Sequence, residues 1–455
     1  MKTLTLEQHR ARIDNINRAE VRNRTYFRRH RVRDYLCGQA VYTLGDYPYP
    51  FSIEPTEYDF TTLKAMAEGG VDLIQIHEEW NDSIRQFGAD KYTSHDPKGL
   101  QRFIDLCHSF GIKVIPYTST GYFHEYDRDF REEFAPHGHR YCCIGSHFKY
   151  RMCSAGSAEW REYLIPRTLK ILDDYNFDGL YNDWGADSQY FANGRLQRAG
   201  CPDGYDPEVE DLLGTIYAEV KRRGGVYKLH CDGNAPAPCM DKVYDYLWIG
   251  ELVGGKTAGA GKDFPDYVVP CQDKTQLKTD DPDYYFAAVI PFMQFPFLTT
   301  MGRPLMGKRI EADVPYYGNE NGKYGHEWLF NKAVGDWTKA HPDGPFVHSL
   351  WSSIPDDPTE FGRWSHYMSL YKPMVAENSV VYVELNDCAD ILSPLPEDVY
   401  ASMFVNEETY ITVSNLQEGK PYELTLDAPW ENRETGEISA TWTIEPNKIL
   451  FLRRV

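Results

Sequence analysis

The chain has 455 residues, 42% of them apolar and 25% charged, which is the balance of a globular protein rather than of a disordered or fibrous one. Its formal charge of −20 argues against a nucleic acid partner, because a phosphate backbone is bound mainly through Lys and Arg. The length fits one large domain with one smaller module.

The N-terminal residues contain no apolar run of the signal-peptide type, and no stretch approaches the roughly 18 apolar residues of a membrane span. A membrane partner is therefore not expected. The ten cysteines lack the paired spacing of a zinc site, which favours free thiols and a cytoplasmic location, although a removed signal peptide would allow secretion. The basic cluster Arg22 to Arg33 is interpreted as a solvated face or a homo-oligomer contact.

After a helical lead-in over residues 1–34, short apolar runs alternate with helical stretches, which is the pattern of repeated βα units. The sequence predicts helices over Thr61–Gly69, Pro97–Phe110, Ala158–Tyr175, Pro207–Arg223 and Trp364–Val375. It predicts eight barrel strands: Tyr35–Thr43, Val71–His77, Ile112–Thr118, Phe177–Asp183, Val226–Cys231, Tyr246–Glu251, Pro296–Met301 and Phe346–Trp351. Eight such units form a (β/α)8 TIM barrel, which is an α/β fold.

Residues 254–283 form a long insertion rich in Gly, Lys and Asp that contains a further strand candidate, Tyr267–Cys271. The strand count could therefore shift by one. Beyond the last barrel helix the pattern changes to short alternating runs, which predict an antiparallel β-sandwich. The predicted domains are the lead-in at 1–34, the barrel at 35–376 and the sandwich at 377–455.

A TIM barrel places its active site at the carboxyl ends of its strands, and several of the predicted strands end in acidic residues. Asp183 ends the fourth strand and Glu251 ends the sixth. A carboxylate at the end of a buried strand is unfavourable unless it is hydrogen-bonded or reactive. These two residues are the predicted catalytic pair, with a capping acid and a salt-bridged loop acid as the respective structural alternatives.

Other polar and aromatic residues at the strand ends are candidates for binding a sugar, whose hydroxyls need hydrogen bonds and whose ring faces stack on aromatic planes. The aromatic content of 14% agrees with this interpretation. The predicted binding residues are His77, Glu78, Glu79, Trp80, Tyr117, Asn182, Trp184, His230, Asp232, Arg303 and Trp351. Packing is the alternative for the aromatic residues and for both histidines. No metal site and no cofactor motif is predicted.

The fourth-strand run from Asp178 to Asp183 resembles that of the clan D glycoside hydrolases, the α-galactosidase type of barrel. The resemblance implies that Asp183 is the nucleophile. Trp248-Ile249-Gly250-Glu251 is similar to that clan's sixth strand and implies that Glu251 is the acid/base, although the clan has Asp there. The run from Gly70 to Trp80 and the run from Gly111 to Tyr117 resemble its second and third strands. Thr118-Ser119 replaces the acid that usually follows the third-strand Tyr.

The leading hypothesis is a retaining exo-glycosidase that uses Asp183 and Glu251 on a carbohydrate substrate. One alternative is an inverting glycosidase for an acidic sugar, in which His230 and Asp232 activate water and Arg303 contacts the sugar carboxylate. A second is a barrel that binds carbohydrate without catalysis, and a third is a lyase or epimerase. The separation of the two acids and the anomer of the product discriminate among the hydrolytic and binding hypotheses.

Overall fold

The structure is a computed structural model of the whole chain. It describes residues 27–29, 35–45, 52–81, 92–125, 127–137, 140–141, 150–183, 206–230, 239–249, 268–273, 281–299, 301–303, 358–375, 381–386, 394–406 and 408–455.

Eight parallel strands close into a barrel, which confirms the predicted fold class. In chain order they are β2 (Gln39–Val41), β3 (Leu73–Ile76), β4 (Lys113–Ser119), β8 (Gly179–Asp183), β9 (Val226–His230), β10 (Tyr246–Ile249), β11 (Pro270–Gln272) and β12 (Phe295–Leu298). Neighbours in the barrel are also successive in this order. The strands are short and almost wholly buried, as expected for a barrel whose interior is filled with side chains.

The described helices are α1 (Glu57–Glu68), α2 (Pro97–Ser109), α3 (Ala158–Tyr175), α4 (Pro207–Arg222), α5 (Tyr284–Val289) and α6 (Pro358–Val375). Short 3-10 helices span Glu78–Trp80, Glu132–Phe134 and Ile290–Phe292. Local sequence explains several starts. Asp96 accepts from the N–H of Gly99, Ser157 from Trp160, and Asp206 from Glu208 and Val209. Such capping side chains satisfy the first amides of a helix, which have no partner within it.

The predicted strands one to six are present within a few residues of their expected bounds, and the last two need correction. The seventh barrel strand is Pro270–Gln272, which overlaps the additional candidate within the insertion, and the strand predicted as seventh is the eighth. The predicted eighth strand, Phe346–Trp351, lies outside the described residues, and eight other strands already close the barrel.

An additional three-stranded antiparallel sheet lies in the chain between the third and fourth barrel strands. It consists of β5 (Tyr122–His124), β7 (Tyr150–Met152) and β6 (Arg140–Tyr141), with β7 in the centre. The sequence analysis did not predict it. Because β5 begins three residues after β4 ends, its first residue is close to the mouth of the barrel.

The C-terminal module is a seven-stranded antiparallel sheet in the order β1, β13, β14, β15, β18, β16, β17. Its strands are β1 (Phe27–Arg29), β13 (Val381–Glu384), β14 (Val399–Val405), β15 (Thr409–Asn415), β16 (Tyr422–Asn432), β17 (Ile438–Ile444) and β18 (Lys448–Arg454). Alternating side chains such as Met403, Ile411 and Leu452 form its apolar core. Strand β1 stands where a helical lead-in was expected, because residues 27–29 pair with β13.

The chain divides into two compact units. One comprises residues 40–248 and 298–358, and the other comprises residues 1–39, 249–297 and 359–455. The first contains β3 to β9, and with them the side chains at the ends of the third, fourth and fifth barrel strands. The second contains the C-terminal sheet together with β11.

Candidate active site

The carboxylate of Asp183 lies at the carboxyl end of the fourth barrel strand and is hydrogen-bonded through both oxygens. Its Oδ1 is 2.9 Å from Nδ1 of His230, and its Oδ2 accepts a hydrogen bond of 3.0 Å from the hydroxyl of Tyr117. The Asp183 side chain is 13% exposed. A partly buried carboxylate needs such donors, since water no longer solvates it fully.

Strand register brings these three side chains together. In the parallel pairing, Asp183 is opposite Ser119 on the third strand and opposite His230 on the fifth. Tyr117 is two residues before Ser119, so its side chain leaves the same face of the sheet. The structure therefore brings together three of the predicted site residues, Tyr117, Asp183 and His230.

His230 lies between Asp183 and an aromatic ring. The rings of His230 and Trp248 are 4.5 Å apart between centroids and are inclined by 36°. An ionised carboxylate can only accept, so Nδ1 of His230 carries the proton in its contact with Asp183. The pair therefore fixes the orientation of the imidazole, and leaves Nε2 as the second polar atom of the ring.

His77, at the end of the second strand, is buried beside the rings of Tyr181 and Trp248. Burial, together with the charges of Lys228 and His230, lowers the pKa of His77 to about 3. The Nε2 of Gln75 is 3.0 Å from Nε2 of His77, and since an amide nitrogen only donates, the proton of the neutral imidazole is on Nδ1. His77 is consequently a neutral group at physiological pH.

Tyr122 was not selected by the sequence analysis, although its hydroxyl is 2.5 Å from that of Tyr117. It is the first residue of β5, and both tyrosine side chains are buried. The available signal was its position: Tyr122 follows the polar end of the third strand by three residues. Tyr117 itself was predicted to bind substrate, and in the structure its hydroxyl contacts Asp183 and Tyr122.

Three other predicted binding residues are buried and bonded to the protein. Glu79 accepts from the N–H of Leu44 at 3.1 Å, Trp80 donates to the carbonyl of Tyr117 at 3.0 Å, and Asn182 donates to Oγ1 of Thr120 at 2.9 Å. Each is at most 1% exposed. Asn182 does not share the environment of Asp183 because successive side chains on a strand point to opposite faces of the sheet. A 3-10 turn redirects Trp80.

The guanidinium of Arg303 is occupied by intramolecular contacts. It donates to both carboxylate oxygens of the fully buried Asp59 at 2.9 and 3.0 Å, and to four backbone carbonyls between Leu44 and Glu54. Burial alone would raise the pKa of Asp59, but the hydrogen bonds from Arg303 and Tyr42 outweigh burial and hold that pKa below its usual value. Arg303 therefore connects the end of the eighth strand to the segment around α1.

The remaining predicted site residues are not described at the level of side chains. Trp184, Asp232, Glu251 and Trp351 lie outside the described residues, and for Glu78 the backbone turn is described but not the side chain. Among the described residues, no group of three or more His, Cys, Asp or Glu side chains could hold a metal ion. The same part of the chain contains no helix long and apolar enough to cross a membrane.

Comparison with known proteins gives matches in structure only. No protein-family model and no curated protein matches the chain. An α-glucosyl transfer enzyme, XgtA, superposes with a TM-score of 0.59 at 12% identity and covers 93% of this chain and 100% of its own. Trehalose-6-phosphate hydrolase from Bacillus licheniformis has a TM-score of 0.55 at 12% identity, with 92% and 99% covered. The trehalulose synthase MutB has a TM-score of 0.54 at 13% identity, also with 92% and 99% covered.

Identities this low establish the fold and nothing finer. The neighbours share with this chain the eight-stranded barrel followed by a C-terminal β-domain. They do not support the narrower likeness to the α-galactosidase type that the strand motifs suggested.

Proposed function

We propose that the protein is a glycoside hydrolase whose chemistry centres on Asp183. The observation that supports this proposal is the carboxylate at the mouth of the barrel, held by donors from the strands on either side of it. A TIM barrel places its catalytic groups at these strand ends. The fold likeness to the three proteins compared above agrees with the proposal.

In the proposed retaining mechanism, Asp183 attacks the anomeric carbon while Glu251 protonates the departing glycosidic oxygen. A bond from the carboxylate to carbon forms and the glycosidic bond breaks, which leaves a glycosyl ester on Asp183. Glu251 then takes a proton from water, which attacks the same carbon and releases the carboxylate. Glu251 is assigned because it follows the sixth barrel strand by two residues.

The described contacts divide the other candidates by role. His77 is proposed to face the sugar as a neutral hydrogen-bonding group, and Trp248 to form part of the apolar floor beside it. Positioning roles are proposed for the residues whose side chains are hydrogen-bonded to a neighbouring strand or loop. They are Glu79, Trp80, Asn182 and Arg303. Sugar contacts by Glu78, Trp184, Asp232 and Trp351 remain predictions from sequence.

The test is hydrolysis of a panel of nitrophenyl glycosides, beginning with α-glucosides because one structural neighbour is an α-glucosyl transfer enzyme. Asp183→Asn should lower kcat/KM at least about a thousandfold, the scale seen when a group essential to chemistry is lost. Retention of more than about a hundredth of the activity would contradict the assignment. A barrel that binds sugars without catalysis would hydrolyse none of the panel.

Asp178→Asn is the matched control, since Asp178 precedes the same strand at its opposite end, about 16 Å from Asp183 for five extended residues. Asp178 accepts from the N–H of Val114 at 2.8 Å and contacts His108 at 2.7 Å. This variant should lose some stability but keep kcat/KM within about threefold, because its contacts are structural.

A second candidate function is supported by the contact between Asp183 and His230. In an inverting hydrolase, Asp183 would orient His230, whose Nε2 would take the proton from the attacking water. The bond from that water to the anomeric carbon would form as the glycosidic bond breaks, and Glu251 would protonate the departing oxygen. The acidic-sugar version has less support, because Arg303, its proposed carboxylate ligand, is occupied by Asp59. The first-formed product anomer, followed by NMR, separates the two: retention supports attack by Asp183, and inversion supports the His230 pathway.

A further inference from the structure

We infer that Tyr122 is a positioning residue that acts on Asp183 through Tyr117. The inference rests on the proposed function and extends it, since it assigns part of the site to the inserted sheet between the third and fourth barrel strands. The hydroxyls of Tyr122 and Tyr117 are 2.5 Å apart, and that of Tyr117 is 3.0 Å from Oδ2 of Asp183. These two hydroxyls, called the hydroxyl chain below, lead to the carboxylate without interruption.

The chemistry of the groups fixes the direction of this hydroxyl chain. An ionised carboxylate only accepts, so Tyr117 donates its proton to Asp183. A phenol has one hydroxyl proton, and that of Tyr117 is already donated to Asp183. Tyr122 must therefore be the donor in the contact between the two hydroxyls. Each hydrogen bond in such a series polarises the next, so donation by Tyr122 makes Tyr117 a stronger donor to the carboxylate.

The inserted sheet holds Tyr122 in place. Tyr122 pairs with Met152 across β5 and β7, and the N–H of Cys153 donates to the carbonyl of Gly121 at 2.9 Å. The next side chain, Phe123, packs edge-on against Trp160 and Tyr163 of α3, with centroids 5.6 Å away in each case. The hydroxyl of Tyr122 is thus supported by a strand pair and by an aromatic cluster.

Burial increases the effect of the hydroxyl chain. Tyr122 is 2% exposed and Tyr117 is 3% exposed, so neither hydroxyl is bathed in bulk water. Hydrogen bonds are electrostatically stronger in such surroundings. In the proposed mechanism, the two tyrosine hydroxyls stabilise the free carboxylate of Asp183 before it attacks the sugar. They stabilise it again when water releases it from the glycosyl ester. The sheet that carries Tyr122 is in this way coupled to the reactivity of Asp183.

The experiment compares Tyr122→Phe, Tyr117→Phe and the double variant, with Tyr163→Phe as the matched control. Tyr163 is also buried, and its hydroxyl contacts the carboxylate of Asp129 at 3.2 Å. Two quantities are measured for each variant. The first is the pH midpoint of the acidic limb in a plot of kcat/KM against pH. The second is the pH midpoint at which the 13C NMR signal of the Asp183 carboxyl titrates. That signal is assigned because it disappears from the spectrum of Asp183→Asn.

Loss of a donor disfavours the ionised carboxylate, so both midpoints should rise. We expect a rise of about one pH unit for Tyr117→Phe, as for a lost hydrogen bond to a charged group. For Tyr122→Phe we expect about 0.3 unit, as for the loss of cooperative strengthening alone. The double variant should match Tyr117→Phe, because the inferred route from Tyr122 to Asp183 passes through Tyr117. The control should not move.

Two results would overturn the inference: unchanged midpoints in Tyr122→Phe, or a double-variant shift equal to the sum of the single shifts. The NMR titration does not depend on turnover. A shifted carboxyl midpoint in a protein that hydrolyses no glycoside would refute the proposed function while upholding the hydroxyl chain. Hydrolysis that depends on Asp183, with no shift of the carboxyl midpoint in Tyr122→Phe, would uphold the proposed function and refute the role of Tyr122. Thermal unfolding of each variant verifies that it is folded.

Discussion

Individual side chains at the mouth of the barrel are held by groups from adjacent strands rather than by their own strand. Asp183 receives its two hydrogen bonds from the third and fifth strands, and His230 is packed against Trp248 of the sixth. Such support from different strands fixes the carboxylate in one orientation, as a reactive group requires. The side chain of His77 is also buried at the barrel mouth, and its imidazole is neutral at physiological pH. The stability of the folded protein should therefore depend on pH.

The folded protein should lose stability in mild acid because of His77. Its pKa is about 3 in the folded chain, whereas an unperturbed histidine has a value near 6.5. Between these values the unfolded chain binds a proton that the folded chain does not, so stability falls as the pH is lowered from 6.5 towards 3. From pH 7 to pH 5 this contribution is roughly 2 kcal/mol.

His77→Gln should remove this contribution, so its urea midpoint should fall less between pH 7 and pH 5 than that of the wild type. His366→Gln, at a half-exposed position on α6, serves as the control for replacing a histidine with glutamine and should leave the contribution of His77 in place. If His77→Gln were as acid-sensitive as the wild type, the assignment of His77 as a buried neutral group would be wrong.

At the scale of elements, the fourth strand begins with a glycine that the barrel requires. Gly179 has a φ of +149°, and a Cβ at this position would lie 1.8 Å from the carbonyl oxygen of Val226 on the fifth strand. The pairing of Gly179 with Val226 is the start of the register that ends with Asp183 opposite His230. A side chain at residue 179 would therefore push apart the two strands that carry the site.

Gly179→Ala should destabilise the fold by about 3 kcal/mol or more, because the backbone clash adds to the strain of a positive φ. Gly224→Ala is the matched control: Gly224 also has a positive φ, +75°, but a Cβ there would meet nothing within 4 Å. Its cost should be about 1 to 2 kcal/mol. Equal urea midpoints for the two variants would show that the close approach of the strands is not essential.

Periodicity in the sequence was sufficient for long or strongly apolar elements. The run from Phe177 to Asp183 and helix α3 were predicted within two residues, because an apolar strand and an amphipathic helix have clear repeats. The seventh strand was predicted only as a candidate, Tyr267–Cys271, within an insertion rich in Gly, Lys and Asp, and Phe346–Trp351 was predicted as a barrel strand instead. The observed strand, Pro270–Gln272, has three residues and begins with proline, which makes a weak strand pattern. Short strands take their stability from neighbours, which a local pattern does not record.

The site was predictable where it depends on barrel topology. Asp183, His230 and Tyr117 were selected because strand ends converge. The position of Tyr122 just after the third strand was a local signal, but its contact with Tyr117 also depends on the pairing of β5 with residues about thirty positions later in the chain, which that position does not reveal. The burial of Trp80 and the pairing of Arg303 with Asp59 are likewise tertiary, because residues 59 and 303 meet only in the folded chain.

At the scale of the whole molecule, a strand from the N-terminal part of the chain belongs to the C-terminal sheet. Strand β1 pairs with β13, in which Phe27 is opposite Val383 and Arg29 is opposite Val381. The N-terminal segment thus supplies the edge strand of a module more than 350 residues away in sequence. Residues 27–29 are therefore a strand of the C-terminal sheet, where the sequence predicted part of a helical lead-in.

Removal of residues 1–34 should therefore loosen β13. In hydrogen exchange, the amides of Val381–Glu384 that face β1 should exchange at least about tenfold faster in the truncated protein, because a lost backbone hydrogen bond exposes them to water. The amides of Thr409–Asn415 in the interior of the sheet should be unchanged and serve as an internal control. Unaltered exchange at β13 would show that β1 does not protect the edge.

If glycoside cleavage passes through Asp183, a glycosyl-enzyme intermediate forms on this residue, and trapping it is the most direct test. The protein is incubated with a panel of dinitrophenyl 2-deoxy-2-fluoroglycosides. The fluorine slows both steps, and the activated dinitrophenolate leaving group restores the rate of the first step only, so the glycosyl-enzyme accumulates. Intact mass and peptide mapping should show one glycosyl group on the peptide that contains Asp183, and none in Asp183→Asn. Turnover of ordinary glycosides with inverted product and no adduct, or an adduct on another residue, would contradict the account.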